Sequence, residues 1–234
     1  GQLGAGHLAR LLIEDAAVTT AQEFSDFLRG YIDQRRMAPA DDLITHLIAA
    51  EEDGARLSTD ELITTCILLL NAGHEATVHT LGNGVKSLLE AGLGGEVLTE
   101  ECAEKTVEEV LRFDPPLHMF TRYAYETVTL FGHAFQRGDQ VACLLASANH
   151  DALVYPHPDL FEASRSGKAQ QSFGAGIHFC VGAPLARLEL RIALQCLFAR
   201  VPDLCLTEPT HYADVYHFHG LKRLMVTKAA SSSI

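Results

Sequence analysis

Residues 173–189 read FGAGIHFCVGAPLARLE. This stretch sets Phe173, Gly174, Gly176, His178, Cys180 and Gly182 immediately before a helical pattern predicted over 184–200, with Pro184 near its first turn. A cysteine ligates or attacks as its thiolate, which stays ionised only near positive potential or N–H donors, and a helix N-terminus offers both. Cys180 stands where that requirement is met. The three glycines permit positive φ and let a flat partner approach the backbone closely, and Phe173 would shield the sulfur side from water. The plain alternative is a glycine-rich turn around a structural cysteine.

Three further sets could bear on the same chemistry. Glu109 and Arg112 lie i, i+3 on a helix predicted over 100–113 and ended by Asp114-Pro115-Pro116. As a surface ion pair they would contribute about 0.2–0.5 kcal/mol. Arg122 sits in HMFTRYA, residues 118–124, where a planar guanidinium would suit a carboxylate, and a solvated strand arginine is the alternative. The third set is NAGHEATVHT, residues 71–80. A glycine inside a helix costs about 1 kcal/mol against alanine, so Gly73 suggests a close neighbour. A zinc helix is excluded here, because His74 and His79 are five apart, about 140° around a helix, and not i, i+4.

The elements that must position these residues are mostly helices. Residues 6–52 read as short amphipathic helices, with a loop at RRMAPAD and a stop at EEDGAR. Ser58 and Glu61 form a capping box that opens a long helix predicted over 58–90, a rod of roughly 45 Å. TRYAYETVTLFGHAFQRGDQVACLL carries strand-like runs broken at Phe131-Gly132 and at Arg137-Gly138-Asp139, and the tail offers two or three more strands. The fold class is mainly α with minor segregated β sheets, in a single domain over 1–234. No βαβ alternation and no phosphate loop occurs.

Composition narrows the function. The 234 residues are 47% hydrophobic, enough for a real core, and the net charge of -12 argues against nucleic acid. Six scattered cysteines suggest reduced thiols and not a disulfide scaffold. The sequence shows no signal peptide and no bilayer-spanning apolar run, so a cytoplasmic location without a membrane is expected.

The pattern FGAGIHFCVG resembles the haem-binding loop of the cytochrome P-450 family of haem-thiolate monooxygenases. The resemblance implies that Cys180 is the axial thiolate of haem b (iron protoporphyrin IX) and that the loop 173–182 lies against it, with His178 on a haem propionate. Glu109 and Arg112 match the family's buried Glu-x-x-Arg pair, Arg165 matches the arginine that joins that pair, and Arg122 matches the donor to a haem propionate. Ala72, Gly73, Glu75 and Thr77 match the distal helix pattern Ala-Gly-x-Glu-Thr-Thr, with Gly73 opening the oxygen groove. Ala76 departs from it, since most members carry a threonine there for proton delivery. His150 likewise stands where many members have an arginine.

By this resemblance the chain inserts one atom of O2 into a small organic substrate, Glu75 and Thr77 serving the proton path. NAD(P)H-derived electrons would arrive through a ferredoxin or flavoprotein docking near Arg187 and Arg191. The chain is a little over half the usual family length, the resemblance places the missing part N-terminally, and the stretch 87–106 is also short. The alternative is therefore a truncated, catalytically silent haem-binding or self-associating remnant, for which a homodimer is plausible.

Overall fold

The computed structural model describes residues 5–52, 54–167, 169–215 and 217–229. They fall into two compact units, one reaching Ala72 and one beginning at Gly73.

In the first unit, α1 (Ala5–Met37) is one helix of 33 residues, where the sequence suggests several short ones. Proline, the strongest breaker, first occurs at Pro39. Hydroxyls that compete with a helix here bond to it instead: Thr20 Oγ1 donates to Ala16 O at 2.9 Å and Ser25 Oγ to Ala21 O at 2.8 Å. The expected loop follows, and α2 (Leu43–Ala49) starts at Asp42, whose Oδ1 accepts from Thr45 N at 2.9 Å. That bond and the Arg35 guanidinium hold the Asp42 carboxyl down at about 2. The EEDGAR stretch forms a hairpin of β1 (Glu51–Glu52) and β2 (Ala55–Arg56).

α3 (Thr59–Glu90) opens on the capping box read from the sequence. Ser58 N donates to Glu61 Oε2 at 2.7 Å, and Glu61 N donates to Ser58 Oγ at 3.3 Å. Leu62, Ile63 and Cys66 of α3 pack with Leu28 and Ile32 of α1 to form the core of this unit. Burial pushes the Cys66 thiol up.

The second unit is built around α4 (Ala103–Phe113) and α6 (Ala183–Arg200), with the short α5 (Leu145–Asn149) beside α4. Val85 and Leu88 of α3, Val107 and Leu111 of α4, and Leu190, Leu194 and Phe198 of α6 are buried together. Each such side chain contributes about 1.5–3 kcal/mol when fully buried.

The strands form separate antiparallel pairs. β3 (Met119–Tyr123) pairs β6 (Gln140–Leu144), and β4 (Val128–Leu130) pairs β5 (His133–Phe135). Between the latter two, Phe131 and Gly132 both take positive φ, 51° and 81°, the geometry of a tight hairpin turn. In the tail β7 (Leu204–Leu206) pairs β10 (Val226–Lys228) and β8 (His211–Tyr212) pairs β9 (Leu221–Arg223), more strands than the sequence suggests. The mainly α class with segregated sheets is what the described residues form. No helix among them is long and apolar enough to cross a membrane.

Candidate functional site

The loop 173–182 is closed by its own backbone. Cys180 N donates to Phe173 O at 3.0 Å, and Gly174 N donates to Gln171 O at 2.8 Å. Gly174 and Gly176 both take φ of 70°, the left-handed region that L side chains rarely adopt. Gly182 departs from the expectation: as the N-cap of α6 it has φ -82°, a value open to any residue. A Cβ on it would lie 3.8 Å from Cys180 Sγ.

Cys180 and His178 are exposed, whereas the adjoining Ala183 is buried, and its N–H donates to Cys180 O at 3.2 Å. The thiol is thus fixed beside the N-terminus of α6. Phe173 is half-buried, packs on the core of this unit, and meets Phe179 edge-on at 6.3 Å.

Arg122 lies on β3, with Nη1 donating to Thr121 O at 2.9 Å. Its neighbour Phe120 reaches the loop, since Phe120 Cε2 is 4.0 Å from the position a Cβ on Gly174 would occupy. The strand carrying Arg122 and the thiol loop are therefore adjacent.

Glu109 and Arg112 are buried, which rules out the surface-pair alternative. Arg112 Nε donates to Glu109 Oε2 at 2.7 Å and Nη2 to Oε1 at 2.8 Å. Arg165 Nε donates to both carboxylate oxygens at 3.1 Å, so the three residues form one cluster. The remaining guanidinium N–H groups reach backbone carbonyls, Arg112 bonding Asn149 O and Pro158 O and Arg165 bonding Pro156 O. Asn149 carries the cluster to the thiol loop: its Nδ2 donates to Ser172 Oγ at 2.9 Å, and its Oδ1 accepts from Gln171 N at 2.7 Å.

Arg187 and Arg191, the arginines expected to meet an electron donor, are each paired within the chain. Arg187 Nη2 donates to Glu108 Oε2 at 3.1 Å, and Arg191 Nη1 donates to Glu104 Oε1 at 3.5 Å. They line a cavity of about 650 Å³ whose wall also includes Arg112, Arg165 and Lys105. His150 turns back on its own segment, with Nδ1 3.0 Å from Ala146 O.

Ala72, Gly73 and Glu75 are exposed on α3, and Ala76 and Thr77 are half-buried. A Cβ on Gly73 would meet nothing within 4 Å among the described residues, so the close neighbour suggested by the sequence is not found there. Glu75 Oε1 lies 3.8 Å from His79 Nε2. No described hydrogen bond joins these five residues to the thiol loop.

Sequence reasoning missed a polar cluster around Asp114. This buried carboxylate accepts from Tyr212 Oη through Oδ2 and lies 3.1 Å from His219 Nε2 through Oδ1. His219 stacks between Tyr212 and His118, with ring centroids 3.9 and 4.1 Å away. Asn83 Nδ2 donates to Asp114 O at 3.1 Å and to His219 O at 3.0 Å. Burial, followed by the Asp114 bond, pushes the Tyr212 phenol up, and burial, followed by His219, pushes the His118 imidazole down. The one local signal was Asp114 itself, an acid at a helix end just before two prolines.

The site thus joins a helical frame with separated sheets to an exposed cysteine at a glycine-rich loop before a helix. The family model described as Cytochrome P450 matches residues 101–201. Over 186 residues the chain is 43% identical to the polyketide biosynthesis cytochrome P450 PksS of Bacillus subtilis, covering 78% of this chain and 46% of that protein. Over 234 residues it is 38% identical to the vitamin D(3) 25-hydroxylase of Pseudonocardia autotrophica, covering 95% of this chain and 58% of that protein. The crystal structure of CYP109E1 from Bacillus megaterium in complex with testosterone superposes with a TM-score of 0.87 at 32% identity, covering 95% of this chain and 62% of that one. The chain belongs to the cytochrome P-450 family. It spans about half the length of the curated relatives it matches.

Proposed function

We propose that this chain forms the haem-binding part of a monooxygenase, with Cys180 as the thiolate ligand of iron protoporphyrin IX. The observation that carries the reading is the exposed Cys180 thiol, fixed beside the N-terminus of α6 by a loop whose Gly174 and Gly176 are left-handed. The donor set fits the group. A thiolate suits iron, the glycines leave room for a flat ring, and Arg122 on the adjacent strand supplies a cation for a propionate, with His178 as a second donor. Phe173 shields the sulfur side.

When bound, haem supplies the activation of dioxygen, one atom entering the substrate and the other leaving as water. The chain's own residues bind and orient it and deliver protons. By the family resemblance, Glu75 and Thr77 serve the proton path. Ala76 offers no hydroxyl, so Thr77, a water or the substrate supplies one. The Glu109, Arg112 and Arg165 cluster holds the loop's base in place through Asn149. Electrons come from a ferredoxin or flavoprotein, originally from NAD(P)H, and the arginine-lined cavity near Arg187 and Arg191 is the docking side in this reading. The names of the relatives, a polyketide pathway enzyme, a vitamin D hydroxylase and a testosterone complex, favour a carbon-rich, largely apolar substrate.

A second reading, haem binding without turnover, is favoured by the exposure of residues 71–75 on the distal side. The haem-loaded chain, supplied with peroxide and an apolar substrate, separates the two. Product whose yield falls with Glu75→Ala supports the enzyme. Haem uptake with no product supports the silent alternative.

A further inference from the structure

Arg187 lies on α6 seven residues beyond Cys180. Its guanidinium carbon stands 4.7 Å from the centroid of the Phe173 ring, and Glu108 on α4 takes two of its N–H groups. Gln170 Nε2 donates to the same carboxylate at 3.2 Å, which fixes the acceptor in turn. Phe173 closes the circuit, because its carbonyl accepts the Cys180 N–H at 3.0 Å. A single cation is therefore clamped on the residue that frames the thiol. The hydrogen bond to Glu108 raises the Arg187 pKa most, burial opposes it, and the charges of Glu108 and then Cys180 add to the rise.

We infer that Arg187 is a positioning residue of the iron site, which holds Phe173, the residue whose carbonyl bonds the Cys180 N–H, and sets the reduction potential through a charge balanced by Glu108. The inference rests on the haem-thiolate reading. Reduction adds one electron to the iron and lowers the net charge of the site by one, so a fixed cation favours the reduced form and a fixed carboxylate the oxidised form.

The test is a reductive titration with dithionite of the full chain loaded with iron protoporphyrin IX, as wild type, Arg187→Gln, Arg187→Lys and Glu108→Gln. Arg187→Gln is expected to shift the equilibrium toward the oxidised form on the order of tenfold, about 59 mV for a one-electron couple. Glu108→Gln is expected to shift it the opposite way, and Arg187→Lys to lie between wild type and Arg187→Gln. A merely structural role would move both variants in the same direction through loosened packing, and that result, or no shift in either, overturns the inference. If Cys180→Ser leaves the spectrum of the loaded chain unchanged, or if no variant takes up haem, the thiolate reading itself fails.

Discussion

Beneath the thiol loop, Glu109, Arg112 and Asn149 are buried and bond to partners on other segments, whereas residues 71–75 of α3 lie exposed, with Glu75 and His79 3.8 Å apart. The frame that carries the thiol loop is assembled by this chain from its own groups. No described hydrogen bond ties the side chains of residues 71–75 to another element. Substitutions should therefore cost folding in the first region and, if they act at all, cost chemistry in the second.

The largest expected effect is at the buried cluster. Arg112→Leu leaves Glu109 with a buried charge and one cation fewer, and should destabilise the chain by about 3–5 kcal/mol. Glu75→Ala, at the exposed stretch, should stay within about 0.5 kcal/mol. Urea unfolding of both variants checks the contrast, and equal losses would break it.

Gly220 sharpens it from inside the second unit. A Cβ there would come within 1.8 Å of His79 Nδ1, so Gly220→Ala forces the imidazole from its place against Phe218 and should cost about 1–3 kcal/mol. Thermal melts should show His79→Ala relieving part of that loss. Additive losses would mean that the two residues do not share the space.

A smaller effect concerns pH. His118 is faced by His219, by Asp114 beyond it and by His150, and burial sets its pKa below the ordinary value of 6.5. Folding thus disfavours its charged form. Its contribution is present above the unfolded value and lost as pH falls through the lower folded one. His118→Phe cannot take up that proton. Unfolding free energies followed from about pH 7 to about pH 5 should fall less steeply for the variant than for wild type, and parallel curves would contradict the assignment.

A modest effect lies in the first unit. Ser58→Ala removes one half of the capping box and should cost about 1 kcal/mol, read from the urea midpoint. A loss as large as that of Arg112→Leu would place the frame's stability in the wrong unit.

What could be read from the sequence follows from how local each device is. The capping box spans three residues, the Glu-x-x-Arg pair lies on one helix face, and the thiol loop is contiguous, so all three were legible. The partners of Asp114 lie 98 residues away at Tyr212 and farther still at His219, and no short-range pattern announces such a pairing. α1 was misread for a different reason. Its Thr and Ser residues suggest breaks, but their hydroxyls bond to carbonyls one turn back and the helix continues. Gly182 was credited with left-handed freedom that only Gly174 and Gly176 use. At Gly73 the sequence suggested a close neighbour, and no described residue lies within 4 Å of a Cβ there.

The central claim is that Cys180 is the thiolate ligand. The most direct measurement is the absorption spectrum of the reduced carbon monoxide complex of the haem-loaded chain, compared among wild type, Cys180→Ser and Cys196→Ser, the last removing another exposed cysteine. The account predicts a thiolate-type spectrum in wild type and Cys196→Ser that is lost in Cys180→Ser. A spectrum indifferent to Cys180→Ser would contradict it.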